Sequence, residues 1–168
     1  MRSLVDDFFY DEEEDEDTQK DKYLTFRLSG DDYALEIRYV TEIFSIQKIT
    51  EVPDLPDFVK GVINLRGQVI PVLDLRLRFG MPERPYDERT CVIITRMNEL
   101  SVGLVVDAVN EVRDIPAKDV APPPSIARGG ASRFVQGLGR VEDRVEIILN
   151  AERLLGEDDL ETLASTAV

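Results

Sequence analysis

The feature that most constrains the fold of this chain is an internal repeat. Residues 57–80 align with residues 133–156 without a gap, and residues 40–43 align with residues 109–112. The matching positions are mostly apolar residues and glycines at the spacing of short strands and tight turns. Phe58, Val59, Gly61, Val69, Leu73, Asp74 and Gly80 of the first copy coincide with Phe134, Val135, Gly137, Val145, Leu149, Asn150 and Gly156 of the second. The repeat therefore predicts two structurally related units.

The units have the local pattern of β structure. Apolar and polar residues alternate through 24–28 and 33–37 on either side of a Ser-Gly-Asp-Asp turn, which predicts a hairpin. Apolar runs at 62–65 and 69–73 flank an Arg-Gly turn and predict a second hairpin.

A short helix follows the second hairpin of each copy in this interpretation, capped by Asp74 in the first copy and by Asn150 in the second. Short strands hide their edges by closing into barrels, and a unit of about 60 residues buries too little surface to be stable alone. We therefore expect a mainly β fold of two packed five-stranded barrels, SH3-like or OB-like, related by internal pseudo-duplication. They intertwine within one domain, 23–168, whose approximate halves are 23–88 and 89–156, with a groove between them.

The two ends of the chain differ from that domain. Residues 1–22 contain ten acidic and three basic side chains, and the uninterrupted acidic run at 11–17 repels itself. We expect this segment to be a disordered acidic arm. At the other end, residues 157–168 form a C-terminal tail, in which 158–164 has the spacing of a terminal helix.

The composition argues against most enzymatic and metal chemistry. The chain has no histidine and one cysteine, so no catalytic residue, cofactor or metal ligand is predicted, and only an oxygen-ligand site for Mg²⁺ or Ca²⁺ stays open. A net charge of −14 is unsuited to binding nucleic acid. The acidic start and the lack of an apolar run of about 18 residues predict a cytoplasmic protein without direct membrane insertion.

The turn of the second hairpin is where the two copies differ most. Residues 64–67 read Asn-Leu-Arg-Gly, whereas the aligned residues 140–143 read Arg-Val-Glu-Asp, so the charge at the tip changes sign. Positions that agree serve the shared fold, and positions that differ are free for another purpose. Arg66 is therefore a candidate contact residue, because a guanidinium pairs with carboxylates in a defined geometry. A structural salt bridge is the alternative.

With these motifs in hand, the chain resembles the CheW family of bacterial chemotaxis coupling proteins from about Tyr23 to Leu163. Residues 58–75 match the central motif of that family, and the other matching segments follow in its order, at 33–43, 102–107 and 135–139. The resemblance implies two five-stranded barrels and a noncatalytic adaptor. Such an adaptor joins the cytoplasmic signalling tips of chemoreceptors, the methyl-accepting chemotaxis proteins, to the histidine kinase CheA. It also implies a cytoplasmic protein recruited to membrane-associated receptor arrays.

By position, the resemblance further implies a set of residues that bind receptor or kinase. They are Val40, Glu42, Gly61, Arg66, Gly67, Gly103 and Val112. Three have a structural alternative: Gly61 as a bend or close-packing site, because Gly137 repeats it, and Val40 and Val112 as core residues. The resemblance assigns no single partner to each residue and implies nothing about the acidic arm.

Two other functions stay open from the residues alone. A small-ligand-binding β-barrel domain would use the groove between the halves, and it would show an enclosed pocket with convergent polar groups. An enzyme is the third interpretation, and it has the least support because the chain lacks histidine and a nucleophile–base pair.

Overall fold

A computed structural model describes residues 19–97, 99–123 and 133–155 of the chain. These residues form short strands and two short α-helices, α1 (Leu75–Arg78) and α2 (Ala151–Leu155). The strands are β1 (Lys22–Leu28), β2 (Asp31–Glu36), β3 (Val40–Ser45), β4 (Val59–Leu65), β5 (Gln68–Asp74), β6 (Cys91–Met97), β7 (Leu100–Val106), β8 (Ala108–Asp114), β9 (Val120–Ala121), β10 (Val135–Val141) and β11 (Arg144–Leu149).

The strands make two sheets, which confirms the mainly β prediction. Sheet A has the order β8-β1-β2-β11-β10-β9, and sheet B has the order β3-β6-β7-β5-β4. Sheet A has six strands where five were expected, because the two-residue β9 pairs with β10 at its edge. In sheet B the corresponding contact is a single bridge between Thr50 and Val62.

Each sheet draws strands from both copies of the repeat. The first hairpin, β1–β2, pairs with β8 and β11 of the second copy. Its counterpart, β6–β7, pairs with β3 and β5 of the first copy. The central pairing is parallel in both sheets, which needs a long crossover connection. Neither of the predicted halves, 23–88 or 89–156, therefore forms one sheet by itself.

The hydrogen bonds after each second hairpin repeat as well. The Asp74 N–H donates to the Phe58 carbonyl at 2.8 Å, and the Asn150 N–H donates to the Phe134 carbonyl at 2.8 Å. Each cap side chain also accepts a backbone N–H of the helix that follows, at 2.9 Å and 3.0 Å. The pseudo-duplication and both capped helices are thus confirmed. A shift of 69 residues relates positions 22–46 to 91–115, and a shift of 76 relates 57–78 to 133–154; residues related in this way are called equivalent below.

The main hydrophobic core lies between the sheets. A row of stacked aromatic rings runs through it, with neighbouring centroids 5.6 to 5.9 Å apart, from Phe26 through Tyr33 and Phe79 to Phe134. A smaller apolar cluster is also associated with each sheet. Because both sheets contribute to the main core, they are held as one body.

Two predictions concern residues that the structure does not describe. Residues 1–18 of the expected acidic arm and the expected helix at 158–164 lie outside the described residues. No helix in the described part is long and apolar enough to cross a membrane.

Candidate protein-binding surface

The turn between β4 and β5 presents Arg66 to solvent. Leu65 pairs with Gln68, so the loop contains only Arg66 and Gly67, whose φ angles are 52° and 85°. Two positive φ angles define a type I′ turn, which matches the twist of the flanking strands. The Asn64 side-chain oxygen accepts the Gly67 N–H at 2.9 Å and closes the turn. The Arg66 side chain is 66% exposed.

Glu42 of β3 forms an ion pair with Arg66: the Nη2 of Arg66 donates a hydrogen bond to the Oε1 of Glu42. The two residues come from opposite ends of sheet B, so the pair joins those ends. The structural salt bridge that was left open is therefore present. Exposed pairs of this kind contribute only about 0–1 kcal/mol, so the pair mainly orients the guanidinium.

The ion pair lines a surface depression of about 450 Å³. Its other walls include polar groups from three more strands, and buried isoleucines lie beneath it. None of these neighbours is in the set predicted from the sequence, although a comparison of the two copies could have identified some of them. They include Arg96, Gln68, Ser101, Ile70 and Ile94.

The remaining glycines of the predicted set are buried packing positions. Gly61 has φ +145°, and a Cβ there would lie 2.1 Å from the Thr50 carbonyl oxygen. Gly103 lies in the middle of sheet B, where a Cβ would approach Val92 Cγ1 to 2.9 Å. These contacts support the structural interpretation of Gly61 and extend it to Gly103.

The two valines differ in place. Val40 is 1% exposed and belongs to the main core, and Val112 is half-buried in β8 of sheet A, packed against the same core. Six of the seven predicted residues thus lie in sheet B or its turn, and Val112 lies apart from them. Glu42, Arg66 and Gly67 are brought together at one surface. A binding role for each of the seven stays a prediction.

The equivalent surface of sheet A is acidic. Glu142 takes the place of Arg66, with nearly the same backbone angle (φ 56°), and Glu111 takes the place of Glu42. Beneath them Glu146, 2% exposed, occupies the position of Ile70, and within the described residues its Oε2 has no hydrogen-bond partner. Burial raises the pKa of Glu146, and so does nearby Asp32. No group of three His, Cys, Asp or Glu side chains in the described part of the chain is placed to hold a metal ion.

Comparison with known proteins identifies the family. The CheW-like domain model matches residues 22–159. The chain belongs to the CheW-like family. The chemotaxis protein CheW of Klebsiella aerogenes is 34% identical over 151 residues, covering 90% of this chain and 91% of that protein. CheW of Bacillus subtilis is 31% identical over 138 residues, covering 82% and 88%.

A solved structure agrees with these relatives. The scaffolding protein TtCheW from Thermoanaerobacter tengcongensis has a TM-score of 0.76 at 35% sequence identity, covering 83% of this chain and 94% of that chain. The resemblance to the CheW family is thus confirmed. Membership favours a chemotaxis coupling adaptor over the small-ligand-binding alternative.

Proposed function

We propose that this CheW-like protein is a noncatalytic adaptor that couples the cytoplasmic signalling tips of chemoreceptors to the histidine kinase CheA. Family membership over residues 22–159 supports the adaptor class. The relatives named CheW are chemotaxis proteins, and TtCheW is described as a scaffolding protein. The present protein would act in the cytoplasm, at membrane-associated receptor arrays.

The observation that carries the proposal is the orientation of Arg66. The residue lies in a tight turn, and Glu42 orients its guanidinium by an ion pair. The Arg66 side chain nevertheless stays 66% exposed. A side chain held in one orientation loses less conformational entropy when a partner binds. Arg is also among the residues that most often dominate protein–protein binding energy.

Two sheets with unlike surfaces suit an adaptor with two partners. Sheet B offers the Glu42–Arg66 pair, and the equivalent positions of sheet A offer the acids Glu111 and Glu142. A standard protein interface takes about 800 Å² from each partner, so one small domain has room for two. The shared core fixes the distance between the sheets, and bound receptor and kinase would be held in a set relation.

Binding to purified CheA and to purified receptor cytoplasmic fragments tests the proposal. Replacing Arg66 by Glu copies the charge of the equivalent position in sheet A. We expect Arg66→Glu to weaken one partner about tenfold or more, which corresponds to about 1.4 kcal/mol, with an almost unchanged melting temperature. Glu142→Arg is the matched charge reversal on the other hairpin, and it should leave that partner's affinity unaltered.

The outcomes separate two failures. If the wild-type chain binds neither protein, the adaptor function is wrong. If the wild-type chain binds both and Arg66→Glu binds both equally well, the adaptor function stands and the role of Arg66 is wrong.

A further inference from the structure

Arg96 is a cation without a neutralising partner in the described part of the chain. It lies on β6 directly opposite Ser101 of β7, and its side chain is exposed. In the residues that the structure describes, Arg96 has neither an ion pair nor a hydrogen-bond partner. Six other arginines of the described residues form ion pairs, namely Arg27, Arg38, Arg66, Arg76, Arg84 and Arg113.

The equivalent hairpin of sheet A shows what is missing. Arg27 is equivalent to Arg96, and Asp32 is equivalent to Ser101. There, Arg27 Nη2 lies 3.4 Å from Asp32 Oδ1. In sheet A, Asp32 therefore neutralises Arg27 across the hairpin. In sheet B, Ser101 stands in place of that aspartate. The difference lies in one side chain, because the backbone register of the two hairpins is the same.

Arg96 also lines the depression that contains the Glu42–Arg66 pair. Glu42 is already engaged by Arg66, so the depression carries one excess positive charge in a chain whose net charge is −14. The floor includes Ile70 and Ile94, each 2% exposed. A cation beside an apolar floor is suited to a carboxylate side chain, because partial removal of water strengthens a charge-assisted hydrogen bond.

We propose that Arg96 is a docking residue that receives an aspartate or glutamate carboxylate from the same partner that contacts Arg66. This inference rests on the proposed adaptor function and names the chemistry of the partner at that surface. The planar guanidinium pairs with the carboxylate, and Ser101 leaves the position beside it free of a competing acid. The contact would make binding sensitive to salt, since the pair lies near the rim of the interface.

Three variants test the proposal against both purified partners, CheA and the receptor cytoplasmic fragment. Arg96→Ser removes the cation, and Ser101→Asp keeps the cation but supplies the acid found in sheet A. Arg27→Ser removes the equivalent cation from sheet A and is the matched control for net charge. We expect the first two variants to weaken, about tenfold, the partner that Arg66→Glu weakens, and to flatten the salt dependence of its affinity. Arg27→Ser should bind like wild type.

Each other result overturns the inference. Wild-type affinity for both Arg96→Ser and Ser101→Asp would show that no partner carboxylate uses Arg96. An equal loss for Arg27→Ser would show an effect of net charge only, and a loss confined to the partner that Arg66→Glu spares would place the contact elsewhere. If the wild-type chain itself binds neither protein, the adaptor function fails first, and that outcome is seen before any variant is compared.

Discussion

Sheet A and sheet B share the same order of equivalent strands and differ in the residues of their smaller apolar clusters. The apolar positions Phe44, Ile63 and Ile70 of sheet B are replaced in sheet A by Arg113, Gly139 and Glu146. Both sheets still form, because the main core between them supplies most of the buried apolar surface. Sheet B therefore has an apolar interior beneath the Glu42–Arg66 surface, whereas sheet A has charged groups at two of the equivalent positions.

The junctions between hairpins show a second exchange. Asp107 bonds to Arg76 of α1, with Oδ2 2.7 Å from Nη2. The equivalent positions are Arg38 and Glu152, so the two charges are exchanged. Arg38 bonds instead to Glu36, with Nε 2.8 Å from Oε2. The repeat therefore conserves backbone geometry more strictly than side-chain contacts.

The largest effect that would test this view is expected at the equivalent glycines. In Gly61→Ala the new Cβ would lie 2.1 Å from the Thr50 carbonyl oxygen, and the alanine would have to adopt φ +145°. In Gly137→Ala the new Cβ would lie 2.8 Å from Val120 Cγ1 and 3.0 Å from the Ala121 carbonyl oxygen. We expect Gly61→Ala to lower the free energy of unfolding by about 3 kcal/mol or more, and Gly137→Ala by about 1 kcal/mol. Denaturant unfolding measures both. Equal losses would contradict the stricter packing assigned to sheet B.

The next effect concerns the junction at Asp107. Burial opposes ionisation of this carboxyl, but hydrogen bonds from Arg76 and the Ser29 N–H, with Arg84 nearby, outweigh it and lower its pKa. Because the folded state lowers this pKa, the carboxylate stabilises the fold above its unfolded pKa, and this stability is lost as pH falls through the folded value. We expect Asp107→Asn to cost about 2 kcal/mol at pH 7 and less at pH 3.

Arg38, at the position equivalent to Asp107, is the control for that prediction. Arg38 is 62% exposed and bonds to Glu36. Arg38→Gln should change the free energy of unfolding by about 0.5 kcal/mol or less. A cost for Arg38→Gln as large as that of Asp107→Asn would show that the two junctions contribute equally.

Whether a feature of the fold or of the candidate site could be predicted from the sequence depends on how far apart its residues lie in the chain. Local sequence patterns predict the hairpins and the Asp74 cap, because these features depend on neighbours within a few residues. The repeat gives each of them a second example, and it also shows the change of charge at Arg66. The exchange of hairpins between sheets depends on long-range strand pairing, such as that of Tyr33 with Ile147 and of Val72 with Gly103, and no local sequence pattern predicts it. The ion pair of Glu42 with Arg66, and the lack of a partner for Arg96 among the described residues, depend on which strands meet, so they could not be predicted without the structure.

A smaller effect is expected at the buried acid of sheet A. Burial and Asp32 raise the pKa of Glu146, Glu111 adds to this, and Arg113 and Arg144 oppose it. Because the folded pKa is raised, the protonated carboxyl favours the fold at low pH, and stability is lost as pH rises through the raised value. Glu146→Gln should therefore increase the free energy of unfolding by about 1 kcal/mol at pH 8 and change it little at pH 4.

Glu142→Gln, an exposed change on the same hairpin, is the control for Glu146. As a surface substitution it should change the free energy of unfolding by about 0.5 kcal/mol or less. A loss of stability in Glu146→Gln at pH 8 would mean that the ionised carboxylate stabilises the fold. The replacement of Ile70 by Glu146 would then not be a destabilising difference between the two sheets.

The smallest effect on stability, and the sharpest separation of binding from folding, is expected at Arg66. The equivalent positions of sheet A hold two acids, Glu111 and Glu142, and that sheet forms without an ion pair between them. The Glu42–Arg66 pair is therefore not needed to close a sheet of this topology. In a double-mutant cycle with Glu42→Gln and Arg66→Gln, we expect a coupling free energy of about 0.5 kcal/mol in unfolding, since the guanidinium is exposed. A coupling above about 2 kcal/mol would instead make the pair a structural clamp between the ends of sheet B, and weakened partner binding by Arg66→Glu could then follow from a distorted sheet.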